Sequence, residues 1–191
     1  MFTQEDNELI QREFESLRIA SLKRCANQEE YEDVIRAFEF ANEEHKGVRR
    51  RSGEPYILHP IAVAKIVVSN IGLGCKSIIA ALLHDVVEDT VMTDEEITKV
   101  FGAEVALLVD GVTKLEKLEF SNKEERDMEN LRKMFLAMAS DIRVIIIKFA
   151  DRMHNLSTLI SMSEEKQREK ARETLSVFAP LAHRLGMYKI K

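Results

Sequence analysis

The 191-residue chain has few of the residues that define cross-linked, fibrous or membrane-spanning proteins. It has no tryptophan, three prolines, seven glycines and only two cysteines. Because Cys25 and Cys75 lack metal-type spacing and form no disulfide framework, we expect a cytoplasmic protein in a reducing compartment. The polar, acidic first ten residues differ from a secretion signal, and the longest apolar run is far too short to span a membrane.

The overall charge gives no sign of a polyanionic partner. With 28 basic and 33 acidic residues, the formal net charge is −5, which favours neither nucleic-acid nor membrane binding. Hydrophobic residues make up 45% and charged residues 32%, as in ordinary globular proteins. The length suits one domain with a sizeable core.

Apolar residues recur at three- and four-residue spacing along most of the chain, which is typical of helices. No segment shows sustained strand alternation, so the predicted fold class is all-α. Thr93 and Glu96 form a capping-box pattern that opens a short helix ending near Gly102. The charged stretch 116–127 lacks this periodicity and is predicted to be a connection. Further helices are predicted at residues 8–23, 30–45, 60–70, 76–87, 103–112, 128–138, 142–160 and 163–178.

The most informative segment, residues 80–90, carries a His-Asp pair in an apolar run, followed by an acidic pair. On one continuous helix, residues four apart share a face, so His84 would lie above Glu88 and Asp85 above Asp89. Ligand-type residues on one level and carboxylates on the next indicate a hydrolytic metal centre with its own acid and base. Alternatively, Glu88 and Asp89 are ordinary acidic residues near a helix end.

Two further residues are candidate ligands. His59 precedes a proline, which favours the first helical turn, so His59 is predicted to cap that helix from a partly open position. Asp151 follows the apolar run 144–150, where an unpaired charge is unfavourable, although Arg143 or Arg152 could be its partner. Two imidazoles and two carboxylates suit Mn²⁺, with Zn²⁺ or Fe²⁺ as alternatives. The candidate ligands are His59, His84, Asp85 and Asp151.

A basic loop precedes the first of these ligands. Arg49, Arg50 and Arg51 lie eight to ten residues before His59. The planar guanidinium group donates two parallel hydrogen bonds to phosphate, so the loop is a candidate phosphate-binding segment. A solvated basic loop is the alternative interpretation.

A polar helix face follows the last candidate ligand. Asn155 and Thr158 lie four and seven residues after Asp151, so all three can share one face. The amide and hydroxyl groups could bind a nucleobase or ribose. Equally, they could cap and solvate an ordinary helix.

Four segments, taken in order, resemble the hydrolase domain of RelA/SpoT homologues. They are residues 56–60 (YILHP), 80–90 (AALLHDVVEDT), 109–115 (VDGVTKL) and 148–155 (KFADRMHN). Members of that family are HD-type, metal-dependent enzymes that act on the alarmone (p)ppGpp. The resemblance begins near residue 41 and reaches the C-terminus. It implies an HD-domain helical bundle with a metal site between core helices.

The resemblance also implies roles for particular residues. The four candidate ligands would bind Mn²⁺, while Glu88 and Asp89 would position and deprotonate the attacking water. The basic loop would meet the nucleotide and its phosphates, and the polar face after Asp151 would meet the ribose and guanine. The implied substrate-binding residues are Arg50, Arg51, Ser52, Asn155 and Thr158.

The implied reaction is hydrolysis of the 3′-pyrophosphate of (p)ppGpp to GDP or GTP and pyrophosphate, in control of the stringent response. Residues 1–40 would be an N-terminal helical part, 41–178 the metal-dependent core, and 179–191 a junction to a synthetase domain in a longer bifunctional enzyme. No membrane and no directly bound nucleic acid are expected. The alternatives are another HD-type nucleotide phosphohydrolase and a non-catalytic alarmone-binding regulatory module.

Overall fold

The all-α prediction is confirmed in a computed structural model that describes residues 2–89, 93–116, 132, 134–136 and 138–187. Within those ranges the chain is helical and has no β-strand, apart from a single bridge between Arg49 and Pro55. The first five helices are α1 (Gln4–Leu22), α2 (Gln28–Glu44), α3 (Leu58–Lys65), α4 (Cys75–Leu83) and α5 (Val86–Asp89). The next five are α6 (Asp94–Phe101), α7 (Ala103–Glu116), α8 (Ile142–Ser157), α9 (Glu164–Glu173) and α10 (Ala179–Arg184).

Among the described residues, three helical turns depart from α geometry. A π-helical turn, Ile66–Ile71, continues α3, and another, Thr174–Phe178, joins α9 to α10. A 3₁₀ turn, Leu159–Ser161, follows α8. The predicted helices at 60–70, 142–160 and 163–178 therefore exist, although each one changes its hydrogen-bond register near its end.

Side-chain caps account for several helix starts. The predicted capping box is present: the Thr93 hydroxyl accepts from the Glu96 amide, and the Glu96 carboxylate accepts from the Thr93 amide at 2.9 Å. At the start of α2, the Asn27 side chain accepts from the Glu30 amide at 2.9 Å. Such caps satisfy amide groups that have no partner in the first helical turn.

The predicted continuous helix over 76–87 is wrong. α4 ends at Leu83, residues 84 and 85 form a turn, and α5 starts at Val86. The His84 Nδ1 atom donates to the Ala81 carbonyl oxygen at 2.8 Å, so a side chain competes for an oxygen that a continuing helix would use. Residues 84 and 85 and the acidic pair therefore do not belong to one continuous helix, which was the premise of the expected stacking.

α8 lies between two apolar clusters. Val144 and Ile147 join the main core, to which α1 to α7 all contribute. Ile145 and Phe149 face a second cluster that contains Phe178, whose ring meets that of Phe149 edge-on at 5.9 Å. A helix that is apolar on opposite faces is buried, which explains how α8 carries polar side chains into the interior.

The N-terminal helix is tied to the basic loop. The Asp6 carboxylate accepts from the Thr3 amide at 2.8 Å and pairs with the Arg49 guanidinium group, which also donates to the Gly53 carbonyl at 2.7 Å. The hydrogen bond from Arg49 and the bond from the Thr3 amide lower the pKa of Asp6 to about 2. Residues before 41 therefore help to hold the loop that follows α2.

The expectation of no disulfide was wrong, because the structure joins Cys25 to Cys75. The two residues are 50 positions apart in sequence, but their Cα atoms lie 5.2 Å apart. Cys25 lies between α1 and α2, and Cys75 is the first residue of α4. Cysteine spacing along the chain carries no information about such tertiary proximity.

Two predictions fall largely outside the described residues. The connection at 116–127 lies outside them apart from the backbone of Glu116, where α7 ends, and the predicted helix at 128–138 is described only at 132, 134–136 and 138. In the part of the chain that is described, no helix combines the length and apolar character needed to cross a membrane.

Gly111 allows α7 to pack closely against α8, because it has no side chain at their contact. A Cβ atom on Gly111 would lie 2.7 Å from Cγ2 of Val144, a buried, β-branched side chain with little rotational freedom. We expect Gly111→Ala to lower the free energy of unfolding by about 1–3 kcal/mol, despite the better helix propensity of alanine. Urea denaturation of the purified protein measures this change.

Val144→Ala provides the matched control for that prediction. The double variant should lose less stability than the sum of the two single variants, because removing the valine methyl groups makes room for the new Cβ atom. Strictly additive losses would contradict the proposed contact.

Candidate metal centre

The structure brings the four predicted ligand residues together from three elements. His59 lies in α3, His84 and Asp85 form the turn between α4 and α5, and Asp151 lies in α8. Ligand atoms of His59, His84 and Asp151 lie within 4.8 Å of one another. Asp85 adjoins this group, with Oδ1 3.0 Å from Nε2 of His84 and Oδ2 3.5 Å from Nε2 of His59. All four residues are buried.

His59 does not cap its helix, so that prediction was wrong. Ile57 occupies the N-cap position, and His59 is the second residue of α3 with only 3% of its surface exposed. Its Nε2 atom faces the interior, 3.3 Å from Oδ1 of Asp151. The proline that follows stands in the first helical turn, where its missing amide hydrogen is tolerated.

The donor set fits a divalent metal ion. Nε2 of His84 is fully buried and has no hydrogen-bond partner among the described residues, although a carboxylate oxygen is 3.0 Å away. Nδ1 carries the proton, because it donates to the Ala81 carbonyl, so Nε2 presents a lone pair. Two ligand atoms on one ion, each about 2.1 Å from it, are separated by about 3.0–3.4 Å, which is close to the separations in this cluster.

Each ligand has an outer partner that orients it. The Tyr56 hydroxyl donates to Oδ2 of Asp85 at 2.9 Å. Lys148 Nζ donates to Oδ2 of Asp151 at 2.9 Å, and the Asn155 amide donates to the other oxygen of Asp151. Such contacts set the direction of ligand lone pairs and tune affinity for the metal.

The alternative partners considered for Asp151 are engaged elsewhere. Arg143 pairs with Asp141 and Glu104, each at 2.6 Å. Arg152 pairs with Glu173 at 2.9 Å and lies over the Phe178 ring. The buried carboxylate of Asp151 is therefore left to Lys148, Asn155 and the imidazole of His59.

The electrostatics favour the protonation states that metal binding needs. Burial alone would raise the pKa of Asp151, but the charge of Lys148, the hydrogen bond with His59 and the nearby imidazoles together outweigh burial and hold that pKa well below the usual range. For Asp85, burial raises the pKa, but the positive charge that His84 and His59 carry when protonated, together with the hydrogen bond from Tyr56, outweighs burial and lowers the pKa. Burial lowers the pKa of His59. Anionic carboxylates and neutral imidazoles are the ligand forms that bind metals.

Arg50 joins the basic loop to this centre. Its Nη2 atom donates to Oδ1 of Asn155 at 2.6 Å, and its Nη1 atom lies 3.2 Å from Nδ1 of His59. Arg51 and Ser52 are exposed at the tip of the loop. The loop therefore places one arginine against the candidate ligands and leaves two predicted substrate-binding residues facing solvent.

Thr158 lies at the end of α8, in the C-cap position. Its hydroxyl donates to carbonyl oxygens of its own helix, to that of Asn155 at 3.3 Å and to that of His154 at 3.5 Å. The shared face predicted for Asp151 and Asn155 is present, since their side chains are hydrogen-bonded, whereas the Thr158 hydroxyl faces its own backbone.

A cavity of about 160 Å³ opens beside Asp151. One part of its wall is apolar and another part carries cationic side chains, which suits a ligand with a flat apolar ring and an anionic group. The lining residues are Lys148, Asp151, Arg152, Asn155, Leu156, Leu159, Met162 and Lys170.

Glu88 and Asp89 belong to α5, which begins one residue after Asp85. Their side chains lie outside the described part of the structure. The backbone therefore places the acidic pair within one short helix of the ligand turn.

Three residues that contact the candidate ligands were given no role in the site from the sequence, although each carried a signal there. Tyr56 lies three residues before His59, in the same motif. Lys148 is a charged residue in an otherwise apolar run, three residues before Asp151 and thus on its helix face. His154 follows Asp151 by three residues. In the folded chain, burial and the neighbouring charges of His59 and Arg50 lower the pKa of His154 to about 4.

We expect Tyr56→Phe to weaken metal binding by about 10–100-fold, because Asp85 loses the hydrogen bond that orients it. Titration of metal-free protein with Mn²⁺, followed by electron paramagnetic resonance of the free ion, measures the affinity. Tyr31→Phe is the matched control, since Tyr31 lies in α2 and donates to none of the four ligands. Equal affinities in the wild type and Tyr56→Phe would show that this hydroxyl has no orienting role.

The comparisons with known proteins agree with this geometry. A family model described as HD domain matches residues 37–188. The chain is 55% identical over 158 residues to a probable guanosine-3′,5′-bis(diphosphate) 3′-pyrophosphohydrolase of Synechocystis, covering 83% of this chain and 21% of that protein. It is 53% identical over 155 residues to the bifunctional (p)ppGpp synthase/hydrolase SpoT of Escherichia coli K12, covering 81% and 22%.

A solved structure is also similar. It is described as a metazoan orthologue of SpoT that hydrolyses ppGpp, and it aligns with a TM-score of 0.63 and 30% identity over 76% of this chain and 83% of its own. The chain spans about a fifth of the length of the curated relatives. Because the family model covers most of the chain and the relatives share about half of its aligned residues, the chain belongs to the HD domain family and, within it, to the RelA/SpoT homologues.

Proposed function

We propose that this domain hydrolyses the 3′-pyrophosphate of (p)ppGpp, giving GDP or GTP and pyrophosphate. The observation that carries the proposal is the contact between the buried ligand cluster and Arg50, whose guanidinium group lies against both His59 and Asn155. A site that combines metal ligands with an arginine suits a phosphate ester. The relatives named as 3′-pyrophosphohydrolases support the choice of ester.

The metal we assign to the site is Mn²⁺, held by His59, His84, Asp85 and Asp151. Carboxylate and imidazole ligands suit Mn²⁺, whereas thiolate ligands select softer metals. When bound, the metal would lower the pKa of a coordinated water and offset charge on the pyrophosphate. The outer partners of the two aspartates keep both carboxylates oriented for that ion.

The chain's own residues supply the other functions. Glu88 and Asp89, in α5 directly after the ligand turn, are assigned to orient the attacking water and accept its proton. A positioned base of this kind accounts for about 10²–10⁴ in rate. The water oxygen forms a bond to the phosphorus attached to the ribose, the bond between that phosphorus and the ribose 3′-oxygen breaks, and the ribose oxygen takes up a proton, so that pyrophosphate and GDP or GTP are released.

Substrate contacts are assigned to both sides of the cluster. Arg50 would bind a phosphate, with Arg51 and Ser52 at the loop tip closing over the nucleotide. The cavity beside Asn155 would take the guanine, with Leu159 and Met162 against the base and Lys170 near the 5′-phosphates. Thr158, at the end of α8, is assigned to the same end of the nucleotide.

The proposal also includes the longer enzyme to which this domain would belong. Curated relatives are about five times longer than the stretch aligned here, and one is named as a bifunctional synthase/hydrolase. We therefore assign this domain to an enzyme in which a synthetase domain adjoins the hydrolase domain, and in which the activity serves the stringent response. A cytoplasmic location stays part of the proposal, although the Cys25–Cys75 disulfide removes the argument for it that was based on the cysteines. The residue ranges 1–40, 41–178 and 179–191 retain their assignment as N-terminal part, core and junction.

The reaction is tested by pyrophosphate release from ppGpp, with Mn²⁺ and with EDTA. We expect Mn²⁺-dependent formation of GDP and pyrophosphate, and weaker activity when Mg²⁺ or Zn²⁺ replaces Mn²⁺. A panel that includes pppGpp, GTP and dGTP separates this reaction from that of another HD-type phosphohydrolase. Tight ppGpp binding without turnover, in the presence of bound metal, would identify a regulatory module instead.

Two variants separate metal binding from proton transfer. Asp85→Ala should lose both bound metal and turnover, whereas Asp89→Ala should retain the metal and lose about 10²–10⁴ in kcat. Metal analysis and kinetics on the same preparations measure the two properties. Glu95→Ala, at an exposed carboxylate of α6, is the matched control and should behave as the wild type. Full activity in Asp89→Ala would remove its assigned role.

A further inference from the structure

Three nitrogen atoms form a closed triangle beside the candidate metal centre. Nδ1 of His59 and Nδ1 of His154 are 2.8 Å apart, and Nη1 of Arg50 lies 3.2 Å from the former and 3.1 Å from the latter. The two imidazole rings are inclined at 44° with centroids 4.9 Å apart. His154 is half-buried and is not one of the four candidate ligands.

The hydrogen atoms in this triangle can be assigned by elimination. A guanidinium group only donates, so Nη1 of Arg50 needs an acceptor. Nε2 of His59 faces Asp85 and Asp151, and a metal held there needs the Nε2 lone pair, so the proton of His59 is on Nδ1. Both neighbours of His154 are then donors. Nδ1 of His154 is the one acceptor that remains in the triangle, and its own proton lies on Nε2.

We propose that His154 is a positioning residue whose Nδ1 lone pair accepts hydrogen bonds from His59 and Arg50 and thereby couples the metal ligand to the phosphate-binding arginine. The proposal rests on the metal site and the role of Arg50 in the proposed function. It extends that function, because His154 would fix the position of Arg50, which binds phosphate, relative to His59, which binds the metal. Fixing the tautomer of a ligand through its second nitrogen is a common way to orient a metal-bound imidazole.

Removing the His154 acceptor would leave two donors of this triangle without a partner. Without His154, the Nδ1–H of His59 and the Nη1–H of Arg50 would face each other with no acceptor between them, and a buried donor without a partner is unfavourable. Asn155 would still hold Nη2 of Arg50, so the guanidinium group would be anchored at one end only. Both metal affinity and substrate affinity should therefore decrease.

The experiment compares His154→Leu, which removes the acceptor, with His154→Asn, whose carbonyl oxygen can accept near the position of Nδ1. We expect His154→Leu to weaken Mn²⁺ binding to the metal-free protein by about 10–100-fold and to raise the KM for ppGpp. His154→Asn should restore both values to within a few-fold of the wild type. His183→Leu, at an exposed histidine of α10, is the matched control and should change neither.

A second measurement needs no variant to fold. Nuclear magnetic resonance of ¹⁵N-labelled wild-type protein loaded with diamagnetic Zn²⁺ should show the proton of His154 on Nε2 and that of His59 on Nδ1. Wild-type Mn²⁺ affinity and KM in His154→Leu, equal losses in the Leu and Asn variants, or the opposite tautomer of His154 would each overturn the proposal. Mn²⁺ binding without ppGpp hydrolysis by the wild type would instead overturn the proposed function, and the metal titration and tautomers would still decide the role of His154.

Discussion

Two buried carboxylates in one small cluster are the constraint on which the rest of the site depends. Asp85 and Asp151 both lie next to Nε2 of His59, in an interior that disfavours charge. Like charges held this close need compensation, which Lys148 provides on one side and a divalent ion would provide at the centre. Because α8 is packed between two apolar clusters, Asp151 is buried at a position where its negative charge would be unfavourable without Lys148 and a bound cation.

Hydrogen bonds from neighbouring side chains connect this buried cluster to the surface of the protein. Tyr56 holds Asp85, Asn155 holds Asp151, and Arg50 reaches from an exposed loop to Asn155. Because that loop is also tied to α1 through Arg49, the residues proposed to contact substrate and the candidate metal ligands belong to one hydrogen-bonded network. A network of this kind lets a nucleotide phosphate and the ion be presented with a defined spacing, which phosphate ester hydrolysis requires.

Local pattern predicted most helices because a helix is stabilised by contacts between residues three and four apart. It failed where a side chain entered the hydrogen bonding of the backbone, as at His84, and it misplaced His59 as a cap because a proline marks the first turn without marking its first residue. The Cys25–Cys75 bond was missed for a different reason, since two cysteines 50 residues apart carry no pairing signal.

The sequence by itself determined the all-α class, the chemical types of the candidate ligands and their order along the chain. These properties follow from periodicity and residue identity, which need no knowledge of distant contacts. Only the tertiary structure decided which side chain is hydrogen-bonded to which candidate ligand. Tyr56 meets Asp85 across 29 residues, His59 meets His154 across 95 and Arg50 meets Asn155 across 105. Such pairings depend on how whole helices pack, and packing is a property of the folded chain that local spacing does not contain.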